Sequence, residues 1–164
     1  MQKPRNFLVY CGNPGLGKTY LCASLCEWCM KNFGNDWRYW KEYNLLEKLR
    51  SSMDSARGDY AHHLKYMIDS ELLMIDDVCG TGKKTDWREE VLTTILDIRY
   101  ESMKPTIITS NLCSEDFLKN YHPRIHSRLF SLENKIIEIP DGVDFRLEKM
   151  TQVENKFEKP IQNS

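Results

Sequence analysis

The chain has 164 residues, 41% of them hydrophobic, with a formal net charge of -1, which suits one domain with a single large core. The near-neutral balance excludes a bulk basic field, so any nucleic-acid contact has to come from a local patch. No stretch approaches the roughly 18 apolar residues of a membrane span, and the opening MQKPRN carries no signal-peptide pattern; the expected setting is cytoplasmic, away from any membrane, with the six cysteines reduced.

The apolar run 7–10 predicts a first strand leading straight into Gly12-Asn13-Pro14-Gly15-Leu16-Gly17-Lys18-Thr19. A Gly-rich loop cradles phosphate only where a strand enters it and a helix leaves it, and both are predicted here. Gly12, Gly15 and Gly17 let the loop curl with its N–H groups inward, Lys18 reaches the β- and γ-phosphates, and the Thr19 hydroxyl is suited to Mg²⁺. The alternative, a chance Gly-rich turn, does not require every fixed position to be filled. The expected ligand is therefore a nucleoside triphosphate with its Mg²⁺.

Beyond the loop, Leu21, Cys22, Leu25, Cys26 and Cys29 form a helical stripe over 19–32. An aromatic alternation predicts a strand over 37–43, followed by a helix over 45–53, a polar turn over 51–59 and a helix over 60–68. Leu72-Leu73-Met74-Ile75 is a short continuous apolar run of the kind buried on both faces of a parallel sheet. A loop over 79–86 precedes a long amphipathic helix over 87–103, and Pro105 introduces a strand over 106–109. Ser114 is the expected cap of a helix over 115–120. A helix over 122–132 has Pro123 near its start, and the last strand covers 136–139. Five strands alternating with helices predict a three-layer α/β domain built on a parallel sheet, of the P-loop NTPase class.

Asp76 and Asp77 end the 72–75 run, at the carboxyl edge of the sheet where open α/β folds bind ligands. Asp76 is the expected Mg²⁺ partner, and Asp77 the residue that orients or deprotonates the attacking water, a role many ATPases give to the longer Glu. The competing reading is a helix cap or turn. The strand over 106–109 ends in Ser110-Asn111, whose amide is suited to sensing the nucleophilic water or the γ-phosphate. That polar strand points to an additional-strand (ASCE) ATPase, the alternative being a simple turn. Arg124 and Arg128 share a helix face at a spacing of four. With no other arginine aimed at its own γ-phosphate, one of the pair is expected to reach a neighbouring subunit's nucleotide; the competing reading is a solvated basic face.

The set GNPGLGKTYL, LLMIDDV, TDWREEVLTTILDIRY, KPTIITSN, PRIHSRLF and GVDFR resembles the AAA+ domain of DnaC/DnaI-type replicative helicase loaders, with IstB-type transposition ATPases as close relatives. The likeness covers about residues 5–147. It implies a nucleotide-contacting Walker A segment running through Tyr20, a Walker B pair at Asp76 and Asp77, sensor 1 at Asn111, a trans-acting finger at Arg128 helped by Arg124, and a sensor-2-like arginine at Arg146. The expectation is an ATPase domain over 1–147 and a polar tail over 148–164, with ATP and Mg²⁺ as cofactors and no full helical lid. Loaders of this family usually carry an N-terminal domain that grips the helicase, and few residues precede the phosphate loop here, so the expectation is either an isolated ATPase domain or a chain without the helicase-binding role; hydrolysis is expected to be slow, because Asp77 is shorter than Glu, and dependent on self-assembly through the trans arginine. The implied partners are a replicative helicase, single-stranded DNA and further copies of the chain; an IstB-like role with a transposase is the alternative. A small-molecule kinase fits the paired acids poorly, and a non-hydrolysing nucleotide-binding scaffold is kept open by Asp77.

Weaker signals divide. Cys22, Cys26 and Cys29 match an iron–sulfur spacing but fall on one helix face, which favours core packing. His122 and His126, with Cys113 nearby in sequence, lack a fourth ligand of convincing spacing for zinc, which favours a surface role. Lys83 and Lys84, in the loop after Asp77, are candidates for phosphate contact with single-stranded DNA; a solvated loop is the alternative. The four tryptophans read as core or interface.

Overall fold

The computed structural model describes residues 7–33, 36–53, 59–80 and 85–142. Strands β1 (Phe7–Cys11), β2 (Trp37–Lys41), β3 (Leu72–Val78), β4 (Thr106–Ser110) and β5 (Lys135–Glu138) form one parallel sheet in the order β2-β3-β4-β1-β5. Between them lie α1 (Lys18–Phe33), α2 (Glu42–Met53), α3 (Asp59–Asp69), α4 (Asp86–Glu101), α5 (Ser114–Asn120) and α6 (Pro123–Leu129). The expected five-stranded α/β architecture is what forms. The expected tail, the lid region and the domain limit at 147 fall outside the described residues.

Strand alternation sorts the core into two layers. Phe7 and Val9 of β1, Leu73 and Ile75 of β3 and Ile108 of β4 face a large cluster with residues of α2, α3, α4, α5 and α6. Leu8, Tyr10, Leu72, Met74 and Ile107 face a smaller one with Cys22, Leu25 and Cys26 of α1. Among the described residues α1 alone contributes helical packing on that side. Cys22 and Cys26 are buried there, as expected of packed thiols, and burial pushes the Cys22 thiol up to about 12. Trp37, Trp40 and Trp87 pack against the two clusters, whereas Trp28 is 53% exposed.

Several boundaries differ from the sequence expectation for local reasons. β2 stops at Lys41, and α2 begins at once with Glu42, whose buried side chain is engaged elsewhere in the fold. Cys113 rather than Ser114 is the N-cap of α5, and it makes no side-chain cap bond; the Ser114 hydroxyl instead pairs with His126 Nε2 at 3.0 Å. His122 sits before α6, not in it, its Nδ1 accepting from the Arg124 N–H. α4 starts at Asp86 under a Thr85 cap that accepts from the Arg88 N–H.

The largest fully buried side chain is Arg99 of α4. Its Nη1 donates to the carbonyls of Met67, Ile68 and Ser70 at 2.8–3.1 Å, its Nη2 to Pro105 O at 2.6 Å and its Nε to Thr106 Oγ1 at 2.9 Å. The Lys104 ammonium adds bonds to Ile68 O and Asp69 O. The carbonyls that the end of α3 leaves without helical partners are thus met by two cations from α4 and the turn after it.

Candidate functional site

The loop between β1 and α1 closes by backbone geometry. Gly12, Gly15 and Gly17 have φ of 143°, 85° and 79°, values that side-chain-bearing residues rarely adopt. At Gly12 a Cβ would also lie 2.6 Å from Ile139 O, so the close passage of the segment after β5 excludes any larger residue. The buried Lys18 folds back over the loop, its Nζ donating to Gly12 O and Asn13 O at 2.7 Å each. The Asn13 amide donates to Asp141 Oδ1 at 2.6 Å, tying the exposed tip to the segment after β5. Gly15 and Leu16 are buried, Pro14 and Thr19 exposed, and Tyr20 is 80% exposed at the start of α1.

The order β3-β4-β1 places the polar strand β4 between the acid-bearing strand and the loop-bearing strand. Asp76, 1% exposed, is the hub of the site. Its Oδ1 accepts from Thr19 Oγ1 at 3.1 Å and from Thr109 Oγ1 at 2.5 Å, and its Oδ2 from the Tyr39 hydroxyl at 3.0 Å. Burial first, then the nearby Asp76 charge, pushes the Tyr39 phenol well above its ordinary value. A carboxylate and a hydroxyl together form an all-oxygen donor set, the chemistry that a hard divalent cation such as Mg²⁺ takes.

Sequence reading placed Asp76 and Asp77 after the strand, but β3 continues to Val78 with a register shift between Ile75 and Val78. Asp77 adopts φ 58° within this irregularity. Its N–H donates to Thr109 Oγ1 at 2.9 Å, and its Oδ1 accepts from Asn111 Nδ2 at 2.8 Å. The same carboxylate lies against Gly80, where a Cβ would come within 2.0 Å of Asp77 Oδ1. Loop, acids and Asn111 therefore converge at the carboxyl edge of the sheet.

Four contributors escaped the sequence reading as parts of the site: Tyr39, Glu42, Gly80 and Thr109. The alternation of β2 puts Trp37 and Tyr39 on one face, which was a usable signal for Tyr39. Thr109 bonds both acids at once, and nothing in a Thr at a strand end announces it. Glu42, 3% exposed, accepts from the Cys79 N–H at 2.8 Å and from Arg88 Nη2 at 3.2 Å. Burial pushes its carboxyl up, against the pull of those two donors. It anchors the segment after Asp77 to the start of α4.

The two arginines of α6 lie elsewhere. Arg124 Nε is 2.7 Å from Asp97 Oδ2, and Arg128 Nε is 2.6 Å from Asp97 Oδ1. Arg128 Nη2 is also 3.8 Å from Glu101, and its guanidinium lies over the Tyr100 ring at 5.1 Å. The Asp97 contact holds the Arg128 pKa above its ordinary value. The Asn134 amide joins this region to the amino end of β1, donating to Arg128 O at 2.6 Å and accepting from the Phe7 N–H at 3.3 Å. Phe7 also meets Tyr100 edge-on. Arg128 is thus near the amino edge of the sheet, the length of a strand, roughly 15 Å, from its own phosphate loop. An open cavity of about 710 Å³ runs along α4 beside Arg124, lined by Glu89, Glu90, Asp97, Glu101 and Arg124 among others. Arg146, Lys83 and Lys84 lie outside the described residues.

Residues 2–123 match the model of a family described as IstB-like ATP binding protein. The replicative helicase loader DnaI of Bacillus subtilis (strain 168) is 30% identical over 121 residues, 73% of this chain and 37% of that protein. The replicative helicase loader DnaC of Escherichia coli (strain K12) is 22% identical over 121 residues, 74% of this chain and 49% of the other. A crystal structure of the DnaC helicase loader superposes with a TM-score of 0.73 at 25% identity, covering 85% of this chain and 82% of that one. The chain spans less than half the length of these two curated relatives. No helix among the described residues is long and apolar enough to cross a membrane.

Proposed function

The chain belongs to the family of IstB-like ATP binding proteins, and from that premise we propose that it is an assembly-dependent ATPase that helps place a ring helicase on single-stranded DNA. Membership makes it an AAA+ ATP-binding domain related to helicase loaders. The observation that carries the finer reading is the division of the machinery. Lys18, Asp76, Asp77 and Asn111 meet at one edge of the sheet, while Arg128 lies toward the other and shares Asp97 with Arg124.

In this reading the loop N–H groups and Lys18 bind the β- and γ-phosphates of ATP. Thr19 and Asp76 hold Mg²⁺, which neutralises charge developing on the phosphates. Asp77, steadied by Asn111, orients the attacking water. Arg128 cannot reach its own nucleotide across the length of a strand, so it serves the site of an adjoining copy, with Arg124 beside it. Each site is completed only on assembly, and hydrolysis loosens the contact. Arg146 as a further nucleotide contact, and Lys83 and Lys84 as contacts to single-stranded DNA phosphates, belong to the same proposal.

The test is ATP turnover per subunit against protein concentration, alone and with the cell's replicative helicase and single-stranded DNA, together with helicase capture in a non-hydrolysable ATP analogue. Turnover is expected to rise with concentration and with the partners, and capture to depend on the analogue. Rates indifferent to all of these would overturn the proposal; capture of a transposase on duplex DNA instead would move the chain to the transposition reading.

Thr109 supplies a second prediction. Thr109→Val keeps the shape but removes the hydroxyl that holds both acids, and a hydrogen bond to a charged group is worth about 1.5–3 kcal/mol. Hydrolysis in assembled protein is expected to fall about 10- to 100-fold, with a higher Mg²⁺ requirement. A Mg²⁺ titration of turnover beside the parent checks it.

A further inference from the structure

We propose that Asp97 is a positioning residue for the arginine pair, its carboxylate fixing the inner nitrogens of Arg124 and Arg128 so that their outer nitrogens are presented together to the triphosphate of an adjoining copy. This rests on the reading of a nucleotide site shared between copies.

Like charges four residues apart on a helix repel, and two long side chains sample many rotamers. Asp97 opposes both effects. It is 8% exposed on α4, and each of its oxygens takes one Nε, at 2.7 Å for Arg124 and 2.6 Å for Arg128. In both ion pairs it is Nε that meets the carboxylate, so the outer nitrogens are not the ones Asp97 engages. The Arg124 side chain is 58% exposed and that of Arg128 26%. Tyr100 beneath the Arg128 guanidinium and Glu101 near its Nη2 limit the remaining freedom of that side chain. One buried carboxylate thus converts two mutually repelling, flexible cations into a preorganised pair, with an open cavity beside Arg124. Ordering before contact is what a transition-state donor needs, since less freedom is then lost at the moment of reaction.

The contact also holds α6 on α4, so the test has to separate positioning from support of the fold. Asp97→Asn keeps the shape and one acceptor but loses the charge and the second acceptor. The variant is expected to bind a non-hydrolysable ATP analogue within twofold of the parent, while concentration-dependent turnover falls at least tenfold. Mixed with Lys18→Ala subunits, which keep an intact arginine pair but lack a working phosphate loop, Asp97→Asn sites are expected to regain most of their turnover. Mixed with Arg128→Ala subunits they are not. Asp97→Glu, which keeps the charge but displaces it by one methylene, is the second variant, expected to lose turnover severalfold and to be rescued in the same way. Unchanged or raised turnover in Asp97→Asn, or failure of Lys18→Ala to rescue it while the same subunits rescue Arg128→Ala, overturns the positioning role. Failure of Lys18→Ala to rescue Arg128→Ala overturns instead the shared site on which the inference rests.

Discussion

Arg128→Ala is expected to leave ATP binding by an isolated subunit unchanged and to lower assembly-dependent hydrolysis by about 10³- to 10⁵-fold, or roughly 4–7 kcal/mol of transition-state stabilisation. The size of the effect follows from the job proposed for the side chain. In that proposal the loop and Lys18 would already engage the phosphates in the ground state, with Mg²⁺ held by Thr19 and Asp76, so a guanidinium from a second copy would contribute little to binding by one subunit. In the transition state charge spreads over the transferred group, and a fixed cation in a water-poor seam is then worth far more than in solvent. The loss of fold stability in the same variant should be small. Asp97 is buried but keeps Arg124 as its partner when Arg128 is removed, so no uncompensated charge is left and the loss stays at about 1 kcal/mol. Turnover and thermal unfolding measured on one preparation therefore separate the two effects. A rate loss under tenfold, or one that tracks unfolding, would remove Arg128 from the chemistry.

The largest stability effect is expected at Arg99. Arg99→Met keeps much of the side-chain volume but removes every donor, taking one hydrogen bond each from the carbonyls of Met67, Ile68 and Pro105 and the guanidinium donor from Ser70 O. Buried unsatisfied acceptors cost about 1–3 kcal/mol each; because Lys104 still reaches Ile68 O, the Ser70 hydroxyl still donates to Met67 O and the Leu73 N–H to Pro105 O, the loss falls mainly on Ser70 O and is about 1–3 kcal/mol. For a domain of this size that is a fall of about 5 °C in unfolding temperature. Isolating an arginine here has its own cost. Burial lowers its pKa to about 10, opposed by the charges of Asp36 and Asp69, so the guanidinium remains charged at neutral pH and its hydrogen bonds keep it in place. Thermal or urea unfolding of Arg99→Met beside the parent checks the prediction, and a midpoint within 2 °C would show that water replaces the lost donors.

The contrast between these two arginines shows what the sequence could convey. Arg128 drew attention through its spacing of four from Arg124 on a helix, after a phosphate loop and paired acids, although such spacing by itself more often marks a solvated basic face. Arg99 sits in a similar charged helix and reads as one more polar position. Its role depends on the end of α3, thirty residues earlier, and only tertiary packing brings the two together. The same division runs through the site. The Gly-rich loop, Asp76 and Asn111 follow from local pattern and from the rule that ligands sit at strand ends. The sheet alternation that fills both core layers is equally local. The left-handed backbone of Asp77, the contact that requires glycine at position 80, the Tyr39 hydroxyl on Asp76 and the forked role of Thr109 depend on neighbouring strands and on a register shift. Ser114 illustrates the reverse error, since a residue well suited to capping found a better partner in His126.

The unequal covering of the sheet has a consequence for how nucleotide occupancy is felt. Five helices press on one side, whereas among the described residues α1 stands alone on the other, and its first turn carries Lys18 and Thr19. Segments with fewer buried contacts open at lower free energy than the rest of a domain. A ligand that grips such a segment shifts its equilibrium in proportion to the logarithm of concentration over affinity. Cellular triphosphate would then act as a latch on the thinly shielded half of the molecule, so that an emptied subunit is the one first exposed to proteases.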